Sequence, residues 1–252
     1  MEQIAMFFDL DQQDWILFMS CAMLIGMAKA GLRGLGMLAV PILAIVFGGK
    51  ASTGLMLPML CFADVFAVTY YNRHTDWKIV GSLLPAAIIG VLLGVWVGTL
   101  VDDGEFKTLI GILVVIAVIL MVYFERRTLP LSLSRSWWFS ATFGILGGFT
   151  SMIGNAAGPI MAVYLLSTRL PKNSFIGTGS WFFLIVNLVK FPFHVFVWKT
   201  ISKESFLLDL SAIPAIIVGV VIGISVMKVI PEKTFRYFII IMTFLIAIRL
   251  II

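Results

Sequence analysis

One stretch of this chain occurs twice, and it limits the fold more than any other feature. The first copy is Gly26-Met27-Ala28-Lys29-Ala30-Gly31-Leu32-Arg33-Gly34-Leu35-Gly36, continuing to Pro41. The second is Gly144-Ile145-Leu146-Gly147-Gly148-Phe149-Thr150-Ser151-Met152-Ile153-Gly154, continuing to Pro159. Gly26 aligns with Gly144, Gly36 with Gly154 and Pro41 with Pro159 at one constant offset. Both copies lie inside long apolar runs. Glycine weakens a helix and proline removes a backbone donor, so each copy predicts a broken helix. Irregular backbone at membrane depth is tolerated only where protein buries it or it lines a wet cavity. Matched breaks in two halves are a sequence pointer to a transporter's binding site.

Composition places those runs in lipid. Of 252 residues, 61% are hydrophobic and 12% charged, with mean hydropathy +1.08; soluble domains are nearer 45–50% apolar and about 25% charged. The chain reads as an all-α polytopic membrane protein. Its start carries Glu2, Asp9, Asp11 and Asp14, with no Lys or Arg before Lys29. A signal peptide needs a basic leading region, so none is expected and the first apolar segment should be retained. The net charge of +5 belongs mostly to short loops, where it orients spans rather than binding nucleic acid. Cys21 and Cys61 lie in apolar segments without metal or redox spacing and read as small buried thiols.

Eight apolar segments follow: 15–47, 52–71, 79–101, 105–124, 137–168, 176–197, 206–229 and 233–252. A span needs about 20 apolar residues, and six segments fit. Segments 15–47 and 137–168 would run roughly 50 Å as straight helices, and each holds a break near its middle. Each is therefore a kinked span or a re-entrant hairpin. Loop charge favours hairpins under the positive-inside rule. The cytoplasmic side then collects ten basic residues (among them Arg73, Arg126, Arg127, Arg135 and Arg169) against five outside, whereas single crossings give eight against seven. Three true crossings per half make the halves inverted repeats, residues 1–125 and 126–252, each a broken hairpin plus three transmembrane helices. Pro85, Gly90, Gly94 and Phe106 match Pro214, Gly219, Gly223 and Phe235 at a second offset. Gly90-x3-Gly94-x3-Gly98 and Gly219-x3-Gly223 are close-packing faces, for use within the chain or in a homodimer.

Charges inside the membrane are costly and mark function. Lys29 and Arg33 sit in the first break, Asp64 lies near the middle of 52–71, and Lys190 lies within 176–197. Asn187, Lys190 and His194 fall at i, i+3 and i+7, one donor-rich helical face suited to an oxyanion. The plainer alternative is a buried Lys190–Asp64 ion pair. Such a pair, or His194 as a group titrating near neutrality, also offers a coupling proton site. Gly36, and Gly154-Asn155 in the second copy, precede half-helices whose N-termini would aim N–H groups and a positive dipole end at a shared centre. Arg33 suits sulfonate, sulfate or carboxylate groups, with snorkelling or carbonyl capping as its alternative. Thr53 and Thr178 read as helix N-caps, with Thr178 also a substrate contact. Trp181 and Phe183 are candidate cavity walls, packing being the commoner use of such rings. Enzyme motifs and metal-ligand clusters are missing, so neither catalysis nor a cofactor is expected.

The doubled Gly-rich-then-Pro motif (Gly31 to Pro41, Gly148 to Pro159), the Gly177-Thr178-Gly179 entry to the sixth segment and Asn187-x2-Lys190 resemble the sulfite exporter TauE/SafE family of bacterial inner-membrane permeases. The resemblance runs over nearly the whole chain. It implies secondary transport, usually outward, of small sulfur oxyanions or organosulfonates such as sulfite, taurine, sulfoacetate or sulfolactate. Leu32 and Arg33 interrupt what is often a longer glycine run in that family. The expected substrate contacts are Lys29, Arg33, Gly36, Gly154, Asn155, Thr178, Trp181, Asn187 and Lys190, with Asp64 and His194 as proton-coupling sites. An anion channel on the same scaffold, or a non-transporting sensor, are the competing readings.

Overall fold

A computed structural model describes residues 10–251 except 31, 33, 34, 126–135, 230 and 231. Arg33 therefore lies outside the described residues, as do Gly31, Gly34 and the basic loop Arg126–Arg135. The described residues form ten α-helices and no strand. In order they are α1 Gln12–Lys29, α2 Leu35–Phe47, α3 Gly49–Tyr71, α4 Trp77–Leu100 and α5 Asp103–Glu125, then α6 Trp137–Gly154, α7 Gly158–Ser167, α8 Lys172–Pro192, α9 Lys203–Val229 and α10 Glu232–Ile251. A 3₁₀ turn, Asn72–His74, follows α3, and a π-helical turn, Phe193–Val197, continues α8.

Among the described residues, five stretches are long and apolar enough to cross a membrane: Gly49–Thr69, Trp77–Leu100, Asp103–Tyr123, Asn173–Val197 and Lys203–Ser225. The sixth expected crossing, 233–252, is helical as α10. Rows of exposed apolar side chains such as Leu92, Leu93, Trp96 and Leu100 on α4, and Val218, Val221 and Ile224 on α9, cover the outside of the bundle. Water would not tolerate that surface, whereas lipid tails solvate it.

Both long segments are hairpins rather than kinked spans. α2 has 13 residues and α7 has 10, about 20 and 15 Å of helix against a hydrocarbon core of about 30 Å. Phe18, early in α1, meets Phe47, the last residue of α2, with ring centroids 6.1 Å apart. In the second segment Ser140 and Tyr164 share a 2.8 Å hydroxyl–hydroxyl hydrogen bond, and Phe139 stacks on Tyr164. Each chain segment thus returns beside its own start. The first return point lies beyond Lys29. The second is Asn155, whose left-handed backbone (φ 50°) ends α6 and points the chain back; asparagine is one of the few residues that adopts this conformation readily.

The matched prolines occupy different places. Pro159 stands at the start of α7, where its missing N–H costs nothing. Pro41 lies in the middle of α2, because that helix begins earlier in the repeat. The Thr53 and Thr178 caps are not formed either. α3 starts at Gly49 and α8 at Lys172, so both threonines sit inside their helices. The N-terminus of α3 is instead held by the Asp103 carboxylate, which accepts from the Gly49 and Lys50 N–H groups at 3.0 Å each.

The helices pack in an exchange pattern. α1 lies on α9 as α6 lies on α4; α2 lies on α10 as α7 lies on α5; α3 meets α8, and α5 meets α10. Swapping the two sets of five helices reproduces the whole set of these contacts. Glycine makes the closest of them. A Cβ at Gly148 would overlap the Ala87 carbonyl, and one at Gly26 would overlap the Ile216 carbonyl. Gly90 and Gly219 present the same closeness from the partner helices, toward Ile145 and Met23. The small-residue faces are thus occupied within the chain, which leaves the homodimer reading without its interface.

Gly148→Val should therefore separate α6 from α4 and destabilise the protein by about 1–3 kcal/mol or more. Gly81→Ala on α4 has nothing within 4 Å of the new methyl and should be neutral or gain up to about 1 kcal/mol of helix propensity. Thermal melting of the two variants in detergent checks the contrast.

Candidate functional site

The two hairpin tips border one cavity of about 220 Å³. Lys29, Gly36 and Met37 reach it from the first break, and Ser151, Asn155, Gly158 and Pro159 from the second. α3 and α8 supply the wall between, including Met56, Phe183 and Asn187. A side chain added at Gly158 would meet nothing within 4 Å, so the first turn of α7 opens directly on the space. Both half-helices begin at the cavity; the Leu35 N–H donates to the Leu32 carbonyl at 3.4 Å and Pro159 has no N–H, while the Gly36, Gly158 and Ile160 N–H groups have no partner within their own helices.

Asp64 is fully buried on α3, and both of its oxygens are used. Lys29 Nζ donates to Oδ1 in an ion pair, and Asn187 Nδ2 donates to Oδ2 at 2.7 Å. The Lys29 ammonium also lies 4.9 Å from the centre of the Phe183 ring, a cation–π contact strengthened by the dry surroundings. Lys29 keeps 18% of its side-chain exposure. It is the one cation among the described residues that line the cavity.

The alternative Lys190–Asp64 pair is not formed, because Lys29 takes that place. Lys190, also fully buried, turns to α6. Its Nζ donates to the Ser151 carbonyl at 2.9 Å, to Ser151 Oγ at 3.0 Å and to Asn155 Oδ1 at 2.6 Å. Three N–H donors meet three acceptors, and none of these is a carboxylate. Asn155 in turn donates to the Thr53 carbonyl at 3.3 Å. Lys190 therefore braces the second break from behind, and its side chain is not part of the cavity wall.

The remaining candidates divide. Gly36, Asn155 and Asn187 line the cavity with Lys29, while Gly154 is packed against Ile110. Thr178 Oγ1 accepts from the Asp76 N–H at 2.9 Å and so ties α8 to the turn before α4. Trp181 packs on Trp77, with centroids 4.9 Å apart, near that same end of the bundle. His194 is outside the cavity lining, at the start of the π turn that follows Pro192. It is buried, shares a 2.8 Å hydrogen bond with Thr200 Oγ1 and meets the edge of Trp198. Trp198 packs against Gly98 and Phe106, filling the bundle at the end opposite Trp181. Ser151, and the methionines Met37, Met56, Met121 and Met161 of the lining, carry no sequence signal and emerge only from the packing.

Apolar helices of spanning length, with two broken hairpins meeting at a cavity, make this a multi-pass membrane protein. Residues 18–250 match the family described as Sulfite exporter TauE/SafE, and the chain belongs to that family, whose members are transporters rather than enzymes. No significant match was found among curated proteins or among solved structures.

Removing either partner of the Lys29–Asp64 pair strands a buried charge or acceptor. Lys29→Ala and Asp64→Ala should each cost about 3–5 kcal/mol. The double variant should cost less than their sum, with an interaction of roughly 0.5–3 kcal/mol. Denaturation in mixed micelles measures the cycle; strict additivity would remove the pair from the account.

Proposed function

We propose that the protein is a secondary transporter that exports small sulfur-containing anions, sulfite or organosulfonates, by alternating access about the cavity between the hairpins. The observation that carries this reading is the position of Lys29, a cation at a break, on a cavity bordered by two half-helix N-termini. Helix N-termini and an ammonium stabilise the same thing, a negative charge with several oxygens. Arg33, four residues after Lys29, belongs to the same proposed site by its place in the break. The halves are inverted copies in this reading, a relation supported by the exchange pattern of helix contacts, and they rock about the bound anion. A bacterial inner membrane, with the basic loops inside, is the proposed location.

Asp64 is the proposed coupling group. An anion that draws Lys29 away leaves the carboxylate buried beside Asn187 alone. A buried carboxylate without a cation takes up a proton in preference to remaining charged. One proton then travels with the anion, and the electrochemical gradients of both set the direction. Lys190 acts by holding Asn155 and the second tip in place. His194, away from the cavity, is the weaker candidate for the proton.

In proteoliposomes loaded with sulfite or a sulfonate, efflux should saturate with substrate and carry protons out with it. Lys29→Ala and Arg33→Ala should each lower flux roughly tenfold or more, as expected for loss of a charge-assisted contact. Flux that never saturates and moves no protons would mean a channel on this scaffold. The absence of flux for any anion would mean a non-transporting role.

A further inference from the structure

We infer that the cavity selects anions carrying an apolar tail, and that an inorganic oxyanion such as sulfite is a poor fit to it. The inference deepens the transport reading and rests on it. The polar side chains of the lining are Lys29, Ser151, Ser180, Asn155 and Asn187, and each already makes a hydrogen bond within the protein. Lys29 and Asn187 hold Asp64. Ser151 and Asn155 hold Lys190. Ser180 donates to the Ile176 carbonyl one turn back. Four of the five form one seam. Lys29, Asp64 and Asn187 are joined by direct contacts, Lys190 lies one helical turn from Asn187, and Lys190 touches Ser151 and Asn155.

The rest of the lining is of another kind. Met37, Met56, Met121 and Met161 come from four different helices, α2, α3, α5 and α7, and Ile25, Leu60, Leu165 and Phe175 add further apolar surface. Sulfite presents oxygen or a lone pair on every side. Placed here it would satisfy its charge at Lys29 and the half-helix amides, and would lose water against thioethers and hydrocarbon elsewhere. Polar groups desolvated without partners are costly. An anion with one charged pole and an aliphatic body matches a lining that holds one cation and is otherwise mostly apolar. Methionine makes that lining tolerant of tail shape, because its unbranched, polarizable side chain repacks easily. The volume, about 220 Å³, leaves room for a short tail beyond the headgroup and limits its length.

Titration calorimetry on the purified full-length protein, with methanesulfonate, ethanesulfonate and the linear series to hexanesulfonate, tests this against sulfite. The apparent Kd should fall roughly fourfold for each methylene buried, then level off once the tail fills the space, with sulfite among the weakest ligands. Butyltrimethylammonium, a cation with a four-carbon tail, controls for partition into detergent and should not bind. A flat series, sulfite binding tighter than pentanesulfonate, or equal affinity for the ammonium control would overturn the tail preference; with sulfite still transported in a Lys29-dependent way, the transport reading would stand. If neither sulfite nor any sulfonate binds or is moved by the protein in liposomes, the transport reading falls and this inference with it.

Discussion

The structure depends on one buried carboxylate, Asp64, and on the two donors that hold it. Each of its oxygens has a single donor, Lys29 on one side and Asn187 on the other, and those donors come from α1 and α8. The pair therefore joins the tip of the first hairpin to the two central helices, α3 and α8. In hydrocarbon such a pair is held by geometry as much as by attraction, since separating its members leaves a charge that nothing nearby can solvate. The second tip is secured differently. Lys190 holds Asn155 and Ser151 through neutral oxygens, and Asn155 is the residue whose left-handed backbone turns the chain. One tip is thus held through a carboxylate and the other through neutral oxygens.

Glycine explains why the tips can meet at all. Two hairpins can reach a common cavity only if the helices around them lie close, and the carbonyl contacts opposite Gly26 and Gly148 bring α1 to α9 and α6 to α4 nearly backbone to backbone. The glycine content that sets the sequence apart serves two purposes. Beside the second tip Gly154 ends α6 and Gly158 begins α7, and along α4, α6 and α9 glycine brings the helices together.

Much of this was legible before any coordinates. The eight apolar segments, the two breaks and the oddity of Lys29, Asp64, Asn187 and Lys190 all follow from hydropathy and from the cost of charge in lipid. Who pairs with whom was not legible. Asp64 had two cations as candidate partners, and spacing along one chain says nothing about which of two helices comes nearer. His194, which helical spacing puts on the face of Asn187 and Lys190, lies outside the cavity lining and bonds to Thr200. Thr178 and Trp181 looked like lining residues and instead tie α8 to Asp76 and Trp77. The four lining methionines were hidden because each is ordinary in its own helix and acquires meaning only when the fold collects them.

The central claim is that Lys29 exchanges Asp64 for the incoming anion and that Asp64 then takes a proton. Infrared difference spectroscopy of the reconstituted protein, with and without a transported anion, reads that event directly. Anion binding should produce the carbonyl band of a protonated carboxylic acid, and the band should vanish in Asp64→Asn. Saturating anion with no such band in the wild-type protein would show that the ion pair stays intact, and would contradict the account.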